Sequence, residues 1–362
     1  MHCIMDGTFN FVDEQYLNCL KRIKEEGVYK NTRSGEVLSL FGMSMRFDLQ
    51  EGFPVLTTKK MFTKGFIHEL LWFLKGDTNI KYLIENGVNF WTPDAFRFYN
   101  ELINKHISLK GGDEHLQIEF DEFLENVRQQ KSIKLAKKRN EHGNLVQIQY
   151  TYGDLGPVYG KQWRHWGESD FDQIRMIIST LKKNPNDRRM LLTGYNPEVL
   201  KDVALPPCHT VYMFNTRPLT SSERIKWCQD HIHPEWICPS SETMDEHGCP
   251  KYALSLWFMC RSQDMALGTP ANIMSASLLL SMVAQCVNMV PSEVIWNGCD
   301  CHIYLNQMEG IDEQLARDPH KYPLPKLELN PDVKDIDMFE YEDIKIKDYQ
   351  SYPTIKMPLS VG

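Results

Sequence analysis

The sequence predicts a single mixed α+β domain interrupted by two insertions, and three observations carry that reading. Segments with helical spacing and short apolar runs of strand length both occur along the chain, which makes it a mixed α+β chain. No internal repeat and no Pro/Gly/Ser-rich linker divides the 362 residues. Two stretches, about 97–150 and 216–250, differ in character from their surroundings and read as additions to one core. With 42% hydrophobic residues, the chain can bury a core of that size.

Taken in order, residues 13–27 place Tyr16, Leu17, Leu20 and Ile23 at helical spacing and end at Gly27. Asn31–Gly35 is a polar turn, and Val37–Phe47 reads as a strand with Gly42 as a bulge or bend. Gly52-Phe53-Pro54 breaks it, and Val55–Thr58 reads as another short strand. Lys64–Leu74 is an apolar helix with one carboxylate, Glu69, which is costly to bury without a partner. The 97–150 insertion is polar and partly helical, with Gly111-Gly112 and a basic run, Lys131–Arg139, read as a solvated face. Tyr152–Gly160 is a glycine-rich loop that lets something approach the backbone. Asp172–Lys183 is an amphipathic helix, and Met190–Tyr195 and Val211–Phe214 read as strands. The 216–250 insertion reads as a hairpin extension. Tyr252–Cys260 is a strand, Ile273–Cys286 a core helix, and Lys326–Leu329 and Phe339–Ile346 are late strands. The tail Ile355–Gly362 is too apolar to be purely solvated.

A net charge of −8 argues against a general nucleic-acid binder, although local arginines can still hold a small anion. No run of 18 or more apolar residues suggests a membrane helix, and Met1–Asn10 lacks an export pattern. Ten scattered cysteines without a disulfide framework then suit reduced thiols in a cytoplasm. Cys228, His231, His233, Cys238, His247 and Cys249 could ligate zinc, but their spacing matches no finger pattern, and no metal is expected.

The chemistry centres on Ala204-Leu205-Pro206-Pro207-Cys208-His209-Thr210. Two prolines fix the backbone before a thiol that leads into a strand. A lone cysteine is more often structural. Asp187-Arg188-Arg189 upstream and Arg261-Ser262-Gln263-Asp264 downstream argue for a nucleophile served by anion-binding arginines.

Several motifs occurring in family order complete the reading: Gly153–Arg164 (GDLGPVYGKQWR), Asp187–Arg189, Leu205–His209, Arg261–Asp264 and Cys301–Tyr304. On these the chain resembles the thymidylate synthase family, which includes the nucleotide hydroxymethylases. The resemblance implies one domain built on a large mixed β-sheet packed with helices. It implies one-carbon transfer from 5,10-methylenetetrahydrofolate to C5 of a pyrimidine nucleotide, with Cys208 adding to C6. It implies Arg33, Arg261 and Ser262 at the phosphate, with Arg188 and Arg189 reaching across a homodimer interface. By the same resemblance Asn272 reads the base and points to dUMP, and His302 and Tyr304 bind the sugar. Glu69, Tyr159 and His209 take catalytic roles, Trp91, Asp264, Gly268 and Lys60 hold the folate, and the tail closes over it.

The chain departs from the synthase pattern on the folate side. Ala271 stands where synthases carry a large ring, Asp94 replaces a second Trp, Ala276 a tyrosine, and Cys260 a glutamine. A pocket loosened there would admit water to the C5 methylene before hydride transfer. The departures therefore predict a dUMP hydroxymethylase giving 5-hydroxymethyl-dUMP, as phages use for DNA modification. The alternatives are a divergent thymidylate synthase giving dTMP and dihydrofolate and, remotely, a non-catalytic nucleotide or RNA binder.

Overall fold

The computed structural model describes residues 10–110, 116–139 and 145–359; Met1–Phe9, Gly111-Gly112 and the last three residues of the tail lie outside them. Helix α1 (Phe11–Glu26) starts at Asn10, whose side chain accepts from the amides of Val12 and Asp13, and stops at Gly27. Then follow β1 (Val28–Thr32), β2 (Gly35–Asp48), α2 (Thr63–Leu74), α3 (Lys81–Glu85), α4 (Thr92–Lys110), α5 (Phe120–Arg128), β3 (Ser132–Arg139) and β4 (Leu145–Thr151). The middle of the chain forms α6 (Tyr159–Arg164), α7 (Gln173–Lys183), β5 (Leu191–Thr193), β6 (His209–Pro218), α8 (Ser221–His231) and α9 (Ser241–Glu246). The rest forms β7 (Tyr252–Asp264), α10 (Gly268–Cys286), β8 (Val290–Tyr304), α11 (Met308–Leu315), β9 (Lys326–Leu329) and β10 (Ile344–Lys347).

The organising element is a six-stranded mixed sheet in the order β1-β2-β8-β7-β6-β5. Its neighbours are antiparallel except β7 and β8, which run parallel. A parallel pair needs a crossover, and α10 supplies it. That helix is buried almost all round and, with α1 and α2, covers one face of the sheet. Along β7 the pleat sends Leu254, Leu256, Phe258 and Cys260 under these helices. On the opposite face a register-matched row, Leu191, Met213, Trp257 and Ile295, lies uncovered or half-covered, and Phe41 is 79% exposed.

Several sequence readings need correction. Val55–Thr58 is not a strand but a buried loop. The carboxylate of buried Asp13 accepts from the amides and hydroxyls of Thr57 and Thr58, so side-chain bonds replace a ladder. Of Phe339–Ile346, only the end pairs as strand β10; Tyr341–Asp343 is a helical turn. Residues 221–246 form two short helices around Cys228, Met244 and Cys249, not a hairpin. The 97–150 insertion is more than surface, because Tyr99, Phe123 and Tyr150 join the core and Tyr99 packs on Tyr152 beyond it. Gly42 bends β2 with a φ of +82° and no slip in register. The longest strand, β8, lacks a plain strand pattern because its uncovered face carries Glu293, Asn297 and Asp300.

Candidate active site

The position of Cys208 follows from the strands. Cys208 sits one residue before β6, and its carbonyl accepts from the Arg261 amide at 2.8 Å, extending the β6–β7 ladder. The Arg261 side chain then folds back: Nε donates to the Pro207 carbonyl at 2.8 Å and a terminal nitrogen to the Pro206 carbonyl at 2.9 Å. The Cys208 amide donates to the Tyr159 hydroxyl at 2.7 Å. Backbone and side chain thus fix the thiol from both sides. Burial raises the Cys208 thiol above its ordinary value, the Arg261 charge opposes this, and Asp94 and Asp264 add to it.

Beneath the thiol lies an aromatic floor. Tyr159 stacks on His209 at 4.0 Å, and Phe73 of α2 packs beside both. His209 Nδ1 shares a 2.8 Å hydrogen bond with the Tyr212 hydroxyl, and burial drives its pKa down to about 3. The ring is therefore neutral at physiological pH and cannot serve as a cationic partner for the thiol.

Glu69 lies one turn before Phe73 on α2. Trp91 Nε1 donates to its carboxylate at 2.6 Å, while burial pushes its pKa up to about 7. The carboxyl lines a cavity of about 10 Å³ with His209, Tyr212, Asn272 and Ser275. Ser275 Oγ and Trp163 Nε1 there have no protein partner, so one water would fit in both space and polarity.

Asn272, in the first turns of α10, donates from Nδ2 to Gln263 Oε1 at 3.2 Å and lies 4.0 Å from Cys260 Sγ. At the end of β7, Asp264 Oδ1 accepts from the Ala266 and Leu267 amides at 2.8 and 3.1 Å, which shapes the turn into Gly268. A Cβ at Gly268 would come within 3.0 Å of Gln263 Nε2. Gln307 reaches from Asp264 Oδ2 to the Pro358 carbonyl, tying the apolar tail to this corner. His302 and Tyr304, edge to face at 5.2 Å, end β8 beside it, with His302 paired in register to Asp264. Tyr304 feels the charges of Asp264, Cys208 and Arg33, the last from the exposed β1–β2 turn. Ser262 is half-buried on β7.

One chain therefore gathers Cys208, Glu69, Tyr159, His209, Arg261, Ser262, Asn272, His302, Tyr304, Trp91, Asp264 and Gly268 around the end of β7. Lys60 is exposed, whereas its neighbour Lys59 is buried and donates to the Ala266 carbonyl. Arg188 and Arg189 are exposed just before the edge strand β5. Arg189 pairs with Asp187 at 2.6 Å, and among the described residues no side-chain bond ties either arginine to the cluster.

Position 94 carries an ion pair. Asp94 pairs with Arg97 at 2.7 Å, and the same guanidinium donates to the Ala204 carbonyl at 2.7 Å and to Glu101 at 2.9 Å. A polar clamp on the segment leading to Cys208 replaces the missing ring. Its Asp-x-x-Arg spacing was visible in the sequence, but its target was not. Gln263 also went unread. Among the described residues no group of three or more His, Cys, Asp or Glu is placed to hold a metal, and no helix is long and apolar enough to cross a membrane.

The comparisons with known proteins define the class, a one-carbon transferase. The family model described as thymidylate synthase matches residues 14–361. A thymidylate synthase of Mycoplasma mobile is 40% identical over 349 residues, covering 96% of this chain and all of that protein. One from Aster yellows witches'-broom phytoplasma is 38% identical over 347 residues, covering 96% of this chain and 99% of the relative. The chain belongs to the thymidylate synthase family, and with it comes 5,10-methylenetetrahydrofolate as co-substrate.

Proposed function

We propose that the protein converts dUMP and 5,10-methylenetetrahydrofolate into dTMP and dihydrofolate. The observation that carries this reading is the near full-length likeness to relatives named thymidylate synthase. The Asp94–Arg97 pair, tied to the Ala204 carbonyl, supports it by bracing the segment that leads to Cys208. Ala271, a small residue 8% exposed where a ring is usual, favours the hydroxymethylase reading, and the product decides between them.

In this mechanism Cys208 Sγ adds to C6 of uracil, and C5 gains the electron density to attack the one-carbon unit. Removing the C5 proton and eliminating the folate leave an exocyclic methylene, to which tetrahydrofolate gives a hydride as the thiolate departs. Arg261 has a double duty. Its fork is held by the Pro206 and Pro207 carbonyls, so the phosphate meets a charge fixed beside the nucleophile. The same guanidinium charge opposes the rise that burial imposes on the Cys208 thiol. Glu69, near neutrality at about 7, can hold and release a proton through water in the adjoining cavity. Asn272 matches O4 and N3–H of uracil.

The residues fit the folate: Trp91 offers a buried ring edge, Asp264 an oxygen lightly engaged at 3.4 Å, and Gly268 a surface free of Cβ. Lys60, exposed nearby in sequence, suits the folate's anionic tail. The uncovered sheet face with Leu191, Met213, Trp257 and Ile295 suits a second copy of the chain. The exposed Arg188–Arg189 pair at its edge would then reach the partner's phosphate.

Incubation with both substrates tests the product. Equal amounts of dTMP and dihydrofolate are expected. 5-Hydroxymethyl-dUMP with tetrahydrofolate would overturn the synthase reading in favour of the hydroxymethylase.

A further inference from the structure

We infer that Gln263 is a positioning residue that sets the choice of uracil over cytosine by locking the orientation of the Asn272 amide. The inference rests on the reading that Asn272 faces the base. An asparagine amide presents a donor and an acceptor side by side, and a half-turn about its last bond exchanges them. In one orientation Nδ2 donates to O4 and Oδ1 accepts from N3–H, which matches uracil. In the other, Oδ1 accepts from the 4-amino group and Nδ2 donates to N3, which matches cytosine. The side chain alone reads either base; whatever forbids the flip makes the choice.

Gln263 is 2% exposed, and its Oε1 accepts from Asn272 Nδ2 at 3.2 Å. A flip of Asn272 would set its Oδ1 against that oxygen, leaving two buried acceptors facing each other, an arrangement that costs about tenfold or more. Gln263 could relieve the clash only by flipping as well. Its Nε2 lies 3.4 Å from the Asp264 carbonyl, to which it donates, and packs where a Cβ at Gly268 would crowd it to 3.0 Å. A flipped Gln263 would aim Oε1 at that carbonyl. A backbone carbonyl cannot exchange donor for acceptor, so the Asp264 main chain fixes Gln263, and Gln263 fixes Asn272. Cys260 Sγ, 4.0 Å from the same nitrogen, is too weak an acceptor to do this alone.

The burial alternation of β7 slips between Cys260 and Gln263, since Arg261 and Ser262 are both half-buried. This slip turns residue 263 inward toward α10. Neither the phosphate nor the folate groups need the bond for their own contacts.

The test compares Gln263→Leu, Gln263→Glu and Asn272→Ala with the parent, measuring kcat and KM for dUMP and dCMP and the Kd of each nucleotide by calorimetry. Gln263→Leu keeps the volume and removes the acceptor. The dUMP-to-dCMP ratio of kcat/KM should fall about tenfold or more, mostly through KM and Kd. Gln263→Glu keeps an acceptor toward Asn272 Nδ2 whether the acid is protonated or ionised, so preference should be retained there and lost in the leucine variant. A folded Gln263→Leu with preference within about twofold of the parent overturns the inference, as does a folded Gln263→Glu that loses the preference, which keeps the lock testable if the leucine variant does not fold. If Asn272→Ala also keeps full preference, it is the assignment of Asn272 to the base that fails.

Discussion

The two walls of the site are held by different means. The wall formed by β6 and β7 is held by main chain: the Arg261 amide on the Cys208 carbonyl, and the Arg261 fork on the Pro206 and Pro207 carbonyls. The wall formed by α2 and α4 is held by side chains: Trp91 on Glu69, and Arg97 on Asp94. A backbone-held wall cannot shift one residue without shifting its register. A side-chain-held wall can exchange a ring for an ion pair if the new pair finds its own partners. Departures from the family accordingly collect on helices, as at Asp94, Ala271 and Ala276. Cys260 is the exception on a strand, and three residues later Gln263 supplies an amide to Asn272.

The largest expected effect falls on the strand wall. Cys208→Ser should lower turnover by about 10³-fold or more while dUMP still binds. Near-normal turnover would remove Cys208 as nucleophile. Next comes sharing between chains. Cys208→Ala and Arg188→Ala should each be inactive, yet a fully exchanged equal mixture should recover about a quarter of parental activity, because half the dimers carry one complete site. Exchange without recovery would confine each site to one chain.

On the helical wall the effects should be smaller. Arg97→Met leaves the Asp94 carboxylate unpaired and frees the Ala204 carbonyl. Turnover should fall about 10- to 100-fold, and alkylation of Cys208 at neutral pH should slow, since Asp94 raises its pKa. Asp94→Asn should speed that alkylation. Equal alkylation rates in the two variants would break the link between α4 and the nucleophile.

The smallest effect is on stability. Folding moves the Glu69 carboxyl from an ordinary 4.5 up to about 7. Its contribution to stability is therefore full below 4.5 and is lost as pH rises through 7. Glu69→Gln does not titrate, so it should resist urea better than the parent at pH 8 by about 1–2 kcal/mol, an advantage absent at pH 4. A gap that does not change with pH would mean the carboxyl is already ionised in the folded protein.

Helices α1, α2, α7 and α10 were readable in the sequence for physical reasons. α1, α7 and α10 carry long periodic or wholly apolar patterns, and Cys208 announces itself by two prolines and flanking arginines. β8 was hidden because its partners lie far away in sequence and its uncovered face is polar: Ser39 pairs with His302. Val55–Thr58 looked like strand because β-branched residues are buried there, but Asp13, over forty positions away, is what holds them. The orientation of Asn272 depends on an amide nine residues earlier across a strand-to-helix turn, and no local pattern encodes that distance.

The placement of β8 also governs when the protein can fold. β8 separates β2 from β7 in the sheet, and it is made only after some 290 residues have been synthesised. Until then the N-terminal hairpin has no neighbour and β7 keeps an open edge, each able to pair with another chain. Closing the sheet joins residues as far apart as Val37 and Tyr304, an entropic cost paid late. A nascent chain thus carries Cys208 and Arg261 well before β8 can complete the sheet around them, and any product that stops short of Val290 keeps both sticky edges permanently.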